Sequence, residues 1–369
     1  MELKYYSDTT TTISMKKIFV AAGFAFCSVL LPFKALAADF SNFYIFGDSL
    51  SDTGNIFNFT QQSLPPSPPY FNGRFSNDQI WVDYLGDKLN LNPIPFSENP
   101  DFINDSVNFA VGGASSGLGN SVVPSAPLPG VLEQVSLFTQ PFLTTNQQID
   151  PNALYAVWGG GNDYLFGGNF NTEQTVQNLS TSINFLATAG AKNIILFNLP
   201  NLGATPLALA TQQSQILTDL TIDHNNKLAE SLSIFKSNNP EINLFDIDVF
   251  SLFSKIGNNP AEFGFSNVTT PCVVGDLTNI LSVCDVGQQN EFLFFDSVHP
   301  TTNVHRLVAD AAFLALEPQS VPEPGSVLGM LALGALGAAG VLKRQQKKFA
   351  FTPASPALFA QSSHTTVEN

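Results

Sequence analysis

Short blocks of consecutive apolar residues alternate along this chain with longer stretches in which apolar positions recur every three or four residues. Phe43 to Phe46, Val107 to Val111, Ala153 to Trp158, Asn193 to Leu199 and Ile242 to Ile247 are rich in aromatic and β-branched residues and read as strands. Between them, Ile80, Trp81, Tyr84, Leu85 and Leu89 keep a helical spacing behind a cap at Asn77 or Asp78. Thr175 to Ala189, Gln212 to Phe235 and Thr301 to Leu316 read as further helices. Strands that alternate with helices, several of them apolar almost throughout, need cover on both faces, which predicts an α/β fold around a parallel sheet.

The intervening segments lack either rhythm. Pro65 to Phe75 is too rich in Pro and Gly for regular structure and reads as a surface loop near the mouth of a site. Leu118 to Gly130 is a second such loop, Phe263 to Asn290 is mostly irregular, and Phe292 to Phe295 is a short apolar run.

Both ends follow a different pattern. Lys16-Lys17, an apolar run from Ile18 to Leu31 and Ala35-Leu36-Ala37 have the order of a secretory signal peptide, with cleavage expected after Ala37 and a start at Met15 as an option. Val321-Pro322-Glu323-Pro324 precedes an apolar run from Gly325 to Leu342, closed by Lys343, Arg344, Lys347 and Lys348. That run is just long enough to span a bilayer, with the basic cluster on the cytoplasmic side. The expected organisation is thus a signal peptide over 1–37, one domain over 38–320, an anchor over 321–348 and a tail over 349–369.

Charge narrows the choice of partner. The whole chain carries a formal charge of −15, and the 7 basic and 26 acidic residues between Ala38 and Ser320 give the domain −19. Such a surface repels phosphate backbones, which argues against nucleic acid. Once Cys27 leaves with the signal peptide, Cys272 and Cys284 remain, and in an exported protein they suggest a loop-stapling disulfide rather than a metal site. Asp246 and Asp248 have no further ligands at useful spacing, so neither a metal nor a cofactor is expected.

The opening strand carries the candidate chemistry. After Phe43 to Phe46, Gly47 lets the chain turn and places Ser49 at the strand's C-terminal end, the edge where ligands bind in open α/β sheets. Ser49 is a candidate nucleophile; the alternative is that Ser49 and Asp52 cap a helix. Of the four histidines, His364 lies beyond the anchor, His224 sits among Asn225, Asn226 and Lys227 on what reads as a solvated helix face, and His305 lies within the last helix. His299 stands three residues after Asp296, a spacing that lets the carboxylate orient the imidazole. Gly113 could offer a backbone N–H, and Asn162 a side-chain N–H, to an oxyanion. Gly112-Gly113 is equally a tight turn, and Asn162-Asp163 an Asx-turn. Gly113-Ala114-Ser115-Ser116-Gly117 fits a nucleophile elbow formally, but no helix follows Ser115.

Gly47-Asp48-Ser49-Leu50, Asn108 to Ala114, Gly160-Gly161-Asn162-Asp163 and Asp296-Ser297-Val298-His299 resemble, in this order, blocks of the GDSL lipases and esterases, also called SGNH hydrolases. The resemblance runs from about Phe43 to Leu316. It implies a flavodoxin-like three-layer α/β/α sandwich, with Ser49 as nucleophile, His299 as base and Asp296 as its acidic partner. It also implies Gly113 and Asn162 as oxyanion donors beside the Ser49 N–H. The activity implied is that of an exported serine esterase or lipase on a lipid or acylated glycan. The rivals are an acetyl esterase acting on extracellular polysaccharide and a non-catalytic glycan-binding surface protein. The C-terminal segment resembles a PEP-CTERM sorting signal, which implies a bacterial envelope address, membrane contact through that segment and a sorting protease as partner.

Overall fold

In a computed structural model, residues 39–98 and 103–317 are described; the expected signal peptide, anchor and tail lie outside them. Six strands form one parallel sheet: β1 (Phe43–Gly47), β2 (Ile94–Pro95), β3 (Val107–Asn108), β4 (Leu154–Trp158), β5 (Asn193–Phe197) and β6 (Asn243–Ile247), in the order β2-β3-β1-β4-β5-β6. β1 lies between β3 and β4, so the winding direction reverses beside it. In open α/β sheets such a switch point opens a crevice at the strands' C-terminal ends.

The helices are α1 (Asn55–Phe59), α2 (Trp81–Leu89), α3 (Val131–Thr144), α4 (Gly161–Leu165), α5 (Thr172–Ala189), α6 (Pro206–Ala210), α7 (Ser214–Asn238), α8 (Val249–Asn258) and α9 (Thr302–Leu316). Alternate strand residues feed two cores. Tyr44, Phe46, Tyr155, Val157, Ile194 and Leu196 pack with residues of α3, α5 and α7. Phe43, Ile45, Leu154, Ala156, Ile195 and Phe197 pack with residues of α2 and α9. The three-layer α/β/α sandwich follows from this period-two division of strands that are buried on both faces.

Several expectations are corrected. α3 and α8 fall where no helix was expected, and the segment expected to be irregular contains an antiparallel hairpin, β7 (Val273–Asp276) with β8 (Asn279–Val283). Cys272 and Cys284 flank that hairpin and are disulfide-bonded. α2 is not capped by Asn77 or Asp78: Asp83 reaches back to the Ile80 N–H, and Asn77 instead accepts the Thr302 N–H that opens α9. Gly47 belongs to β1 and makes no turn; an added Cβ would lie 2.7 Å from the Trp158 carbonyl oxygen. The requirement for glycine there is therefore close packing between neighbouring strands.

Candidate active site

One carboxylate links the turn between β1 and α1 to the first residues of α1 and to the chain after β3. Asp52 accepts the backbone N–H groups of Gly54, Asn55, Ile56 and Gly112. The helix-capping reading therefore holds for Asp52, and the same side chain ties this turn to the glycine pair after β3. Burial pushes the Asp52 carboxyl up to about 6 against the pull of these four donors. Asn108, an amide buried in a strand, donates to the Ser51 carbonyl and the Thr53 hydroxyl and ties β3 to the same turn.

Ser49 emerges from this braced turn with its Oγ 2.8 Å from His299 Nε2, and His299 Nδ1 lies 2.7 Å from Asp296 Oδ2. All three residues are buried. Burial by itself would raise the Asp296 pKa, but the His299 imidazole and the N–H groups of Val298 and His299 hold it below the usual carboxylate value. An ionised Asp296 only accepts, so Nδ1 carries the imidazole proton and Nε2 is left to receive the Ser49 hydroxyl. This order of groups allows the imidazole to take the serine proton as the oxygen attacks a carbonyl carbon.

The candidate oxyanion donors are placed by equally specific bonds. Gly112 and Gly113 are separated by their partners: the Gly112 N–H is taken by Asp52, whereas the Gly113 N–H has no partner among the described residues. Gly113 has φ +79°, and a Cβ there would lie 2.6 Å from Asn120 Oδ1, so the position needs glycine twice over. The Ser49 N–H is likewise unpartnered. Asn162, at the start of α4, gives one amide hydrogen to the Ala114 carbonyl and keeps the other. Its neighbour Asp163 accepts from the Ser116 N–H and hydroxyl, which fixes α4 against the loop after Gly113.

A cleft of about 430 Å³ opens beside Ser49, Asn162 and His299. Its other walls are mainly apolar, from Leu50, Leu165, Phe166, Leu199, Leu202 and Phe253. Asp48 also borders it, with its carboxyl pushed up by burial to about 6.

Other expectations are placed elsewhere. His224 is not on a solvated face; it is fully buried, with Nδ1 2.9 Å from the Tyr164 hydroxyl and its pKa pushed down by burial to about 4. His305 is buried as well, and burial pushes it down to about 3. The Ser115 hydroxyl donates to the carbonyls of Leu118 and Gly119 within its own loop. Asp248 caps α8, and Asp246 pairs with Lys236. Tyr70, in the Pro-rich segment read as a surface loop, is buried with its hydroxyl 2.8 Å from Asp296 Oδ2. Nothing in the local sequence marks it, because its partner lies 226 residues away.

The profile of the GDSL-like lipase/acylhydrolase family matches residues 43–312, and that of the PEP-CTERM protein-sorting motif matches residues 320–345. The chain is 31% identical over 279 residues to the thermolabile hemolysin of Vibrio parahaemolyticus, covering 72% of this chain and 61% of the hemolysin. It is 29% identical over 355 residues to the phosphatidylcholine-sterol acyltransferase of Aeromonas hydrophila, covering 83% of this chain and 98% of that one. A GDSL esterase/lipase of Arabidopsis thaliana is 25% identical over 339 residues, covering 76% and 90%. The chain belongs to the GDSL-like lipase/acylhydrolase family, a family of carboxylic ester hydrolases, and it carries a sorting motif of exported bacterial proteins.

Proposed function

We propose that this GDSL-family chain is an exported esterase that works through an acyl-enzyme on Ser49 and prefers acyl groups longer than acetyl. The hydrogen-bonded series Ser49 Oγ, His299 Nε2, His299 Nδ1 and Asp296 Oδ2 at the mouth of an apolar cleft carries this reading. His299 takes the Ser49 proton as Oγ bonds to the ester carbonyl carbon, and the charge formed on the carbonyl oxygen meets the N–H groups of Ser49, Gly113 and Asn162. His299 then returns the proton to the leaving alcohol. Water, deprotonated by the same imidazole, attacks the acyl carbon, and as the acid leaves the imidazole returns that proton to Ser49 Oγ.

The apolar walls favour hydrocarbon over sugar beside the reacting carbonyl, since an unpaired hydroxyl against such walls is penalised. Turnover of p-nitrophenyl esters of increasing chain length tests this. Butanoate to octanoate should exceed acetate. Activity confined to acetate would instead mark a polysaccharide deacetylase, and a folded chain that is inert on every ester and binds glycan would mark the glycan-binding protein.

The role given to Asn162 is tested by Asn162→Ala, which should lower kcat by about a hundredfold or more and move KM little. An unchanged kcat in the folded variant removes Asn162 from the oxyanion site. Residues 1–37 are proposed to be lost on export. The segment 321–348 is proposed to hold the domain at the membrane until a sorting protease acts, with the tail 349–369 beyond it.

A further inference from the structure

Asp296 Oδ2 receives two donors, His299 Nδ1 at 2.7 Å and the Tyr70 hydroxyl at 2.8 Å, while Oδ1 receives the N–H groups of Val298 and His299. We propose that Tyr70 is a positioning residue of the esterase site, aiming Asp296 at His299 and sharing its negative charge. The inference rests on the proposed roles of Ser49, His299 and Asp296 and adds to them a group from a distant segment.

Three observations carry it. Tyr70 is 2% exposed, so its hydroxyl is shielded from bulk water. Its ring lies edge-on to Phe295 at 5.1 Å and to Phe75 at 6.5 Å, and Phe75 lies 5.0 Å from the His299 ring. Tyr70 also belongs to one buried cluster with Cys272, Val273 and Phe295. Val273 donates its N–H to Phe295, and Cys272 donates its N–H to Phe294, so the disulfide-closed hairpin braces both the tyrosine and the strand of chain that leads into Asp296. The phenol is moreover a constant donor: burial, and then the Asp296 charge, push its pKa far above the ordinary value.

The direction of the effect follows from the shared oxygen. With the tyrosine hydroxyl gone, the charge on Oδ2 is met by the imidazole alone, and the carboxylate holds the protonated imidazole more firmly. The limb of the pH–rate profile on which the base must lose its proton then moves to higher pH. Besides Tyr70 and Asp296, the titratable groups whose charges reach His299 are Asp48 beside Ser49 and His305 on α9; Asp163 acts on Asp48. All three are unaltered by a change at Tyr70, so the difference between parent and variant reports Tyr70.

The test is Tyr70→Phe in the full-length protein, assayed with p-nitrophenyl butanoate across pH beside the parent, Ser49→Ala and Asp296→Asn. The ring and its packing remain. The expected result is a fall in kcat of about tenfold, KM within about twofold, and an acidic limb displaced to higher pH. In the Asp296→Asn background the same change should cost less than about twofold, because the two residues act as one unit. The position of the limb does not depend on how much protein is folded, so it decides the matter even if the variant is less stable. An unmoved limb with unchanged kcat overturns the proposal, as does an equal loss with Asp296 already replaced. Failure of the esterase reading shows separately, as equal turnover by parent and Ser49→Ala, and takes this inference with it.

Discussion

Replacing Ser49 by alanine is expected to lower kcat/KM on p-nitrophenyl esters by about 10⁴- to 10⁶-fold while leaving the melting temperature within a few degrees of the parent. Two features of the site set that expectation. The hydroxyl is the group from which the proposed acyl-enzyme forms, so no other atom can take the ester carbon while the rest of the site stays as it is. Its hydrogen bond goes to His299 Nε2, whereas the turn that carries it is held by Asp52 and Asn108. Removal of the hydroxyl thus strips the chemistry and spares the scaffold. A folded variant with more than a few per cent of parental turnover would mean that Ser49 is not the nucleophile.

Asp296→Asn is expected to cost about 10³- to 10⁴-fold in kcat/KM. The four donors around the carboxylate leave an amide nowhere to put its NH₂ group. Facing Oδ2's partners, it meets His299 Nδ1 and the Tyr70 hydroxyl; facing Oδ1's partners, it meets the N–H groups of Val298 and His299. In the first arrangement Nδ1 must become an acceptor, which moves the imidazole proton to Nε2 and removes the acceptor for the Ser49 hydroxyl. In the second, two backbone donors lose a partner and the loop bearing His299 loosens. Steady-state kinetics of the variant at the parent's optimum check this. A loss under tenfold would show that Asp296 is dispensable for orienting the base.

How far the sequence could be read depends on whether a residue's partner is local. β1, β4 and β5 were legible because burial on both faces leaves them apolar almost throughout, and the candidate residues because each follows a strand or stands in a short polar motif. α3 was missed although Val131, Val135 and Phe138 keep helical spacing, since Pro141 interrupts the pattern while the helix continues through it. α8 follows β6 with only Asp248 between them, so its apolar residues ran on from the strand. The β7–β8 hairpin is short, largely exposed and disulfide-closed, and lacks the apolar rhythm by which strands are recognised. Asn77 looked like the cap of the helix beside it and caps one 225 residues away. His224 sat among polar neighbours in sequence, yet one turn of α7 points inward and buries it against Tyr164. Two adjacent glycines look alike in sequence, and Gly113 is named there by resemblance; the Asp52 carboxylate distinguishes them physically, since it engages the Gly112 N–H and leaves that of Gly113.

The most direct test of the central claim is to find the atom that becomes acylated. Treating the protein with a fluorophosphonate, which bonds to an activated serine oxygen with loss of fluoride, and mapping the added mass by peptide mass spectrometry reads this out. The account predicts a single adduct, on the peptide that carries Ser49, formed at the rate at which ester turnover is lost and absent from Ser49→Ala. An adduct on another serine, or full loss of turnover with Ser49 unmodified, would contradict it.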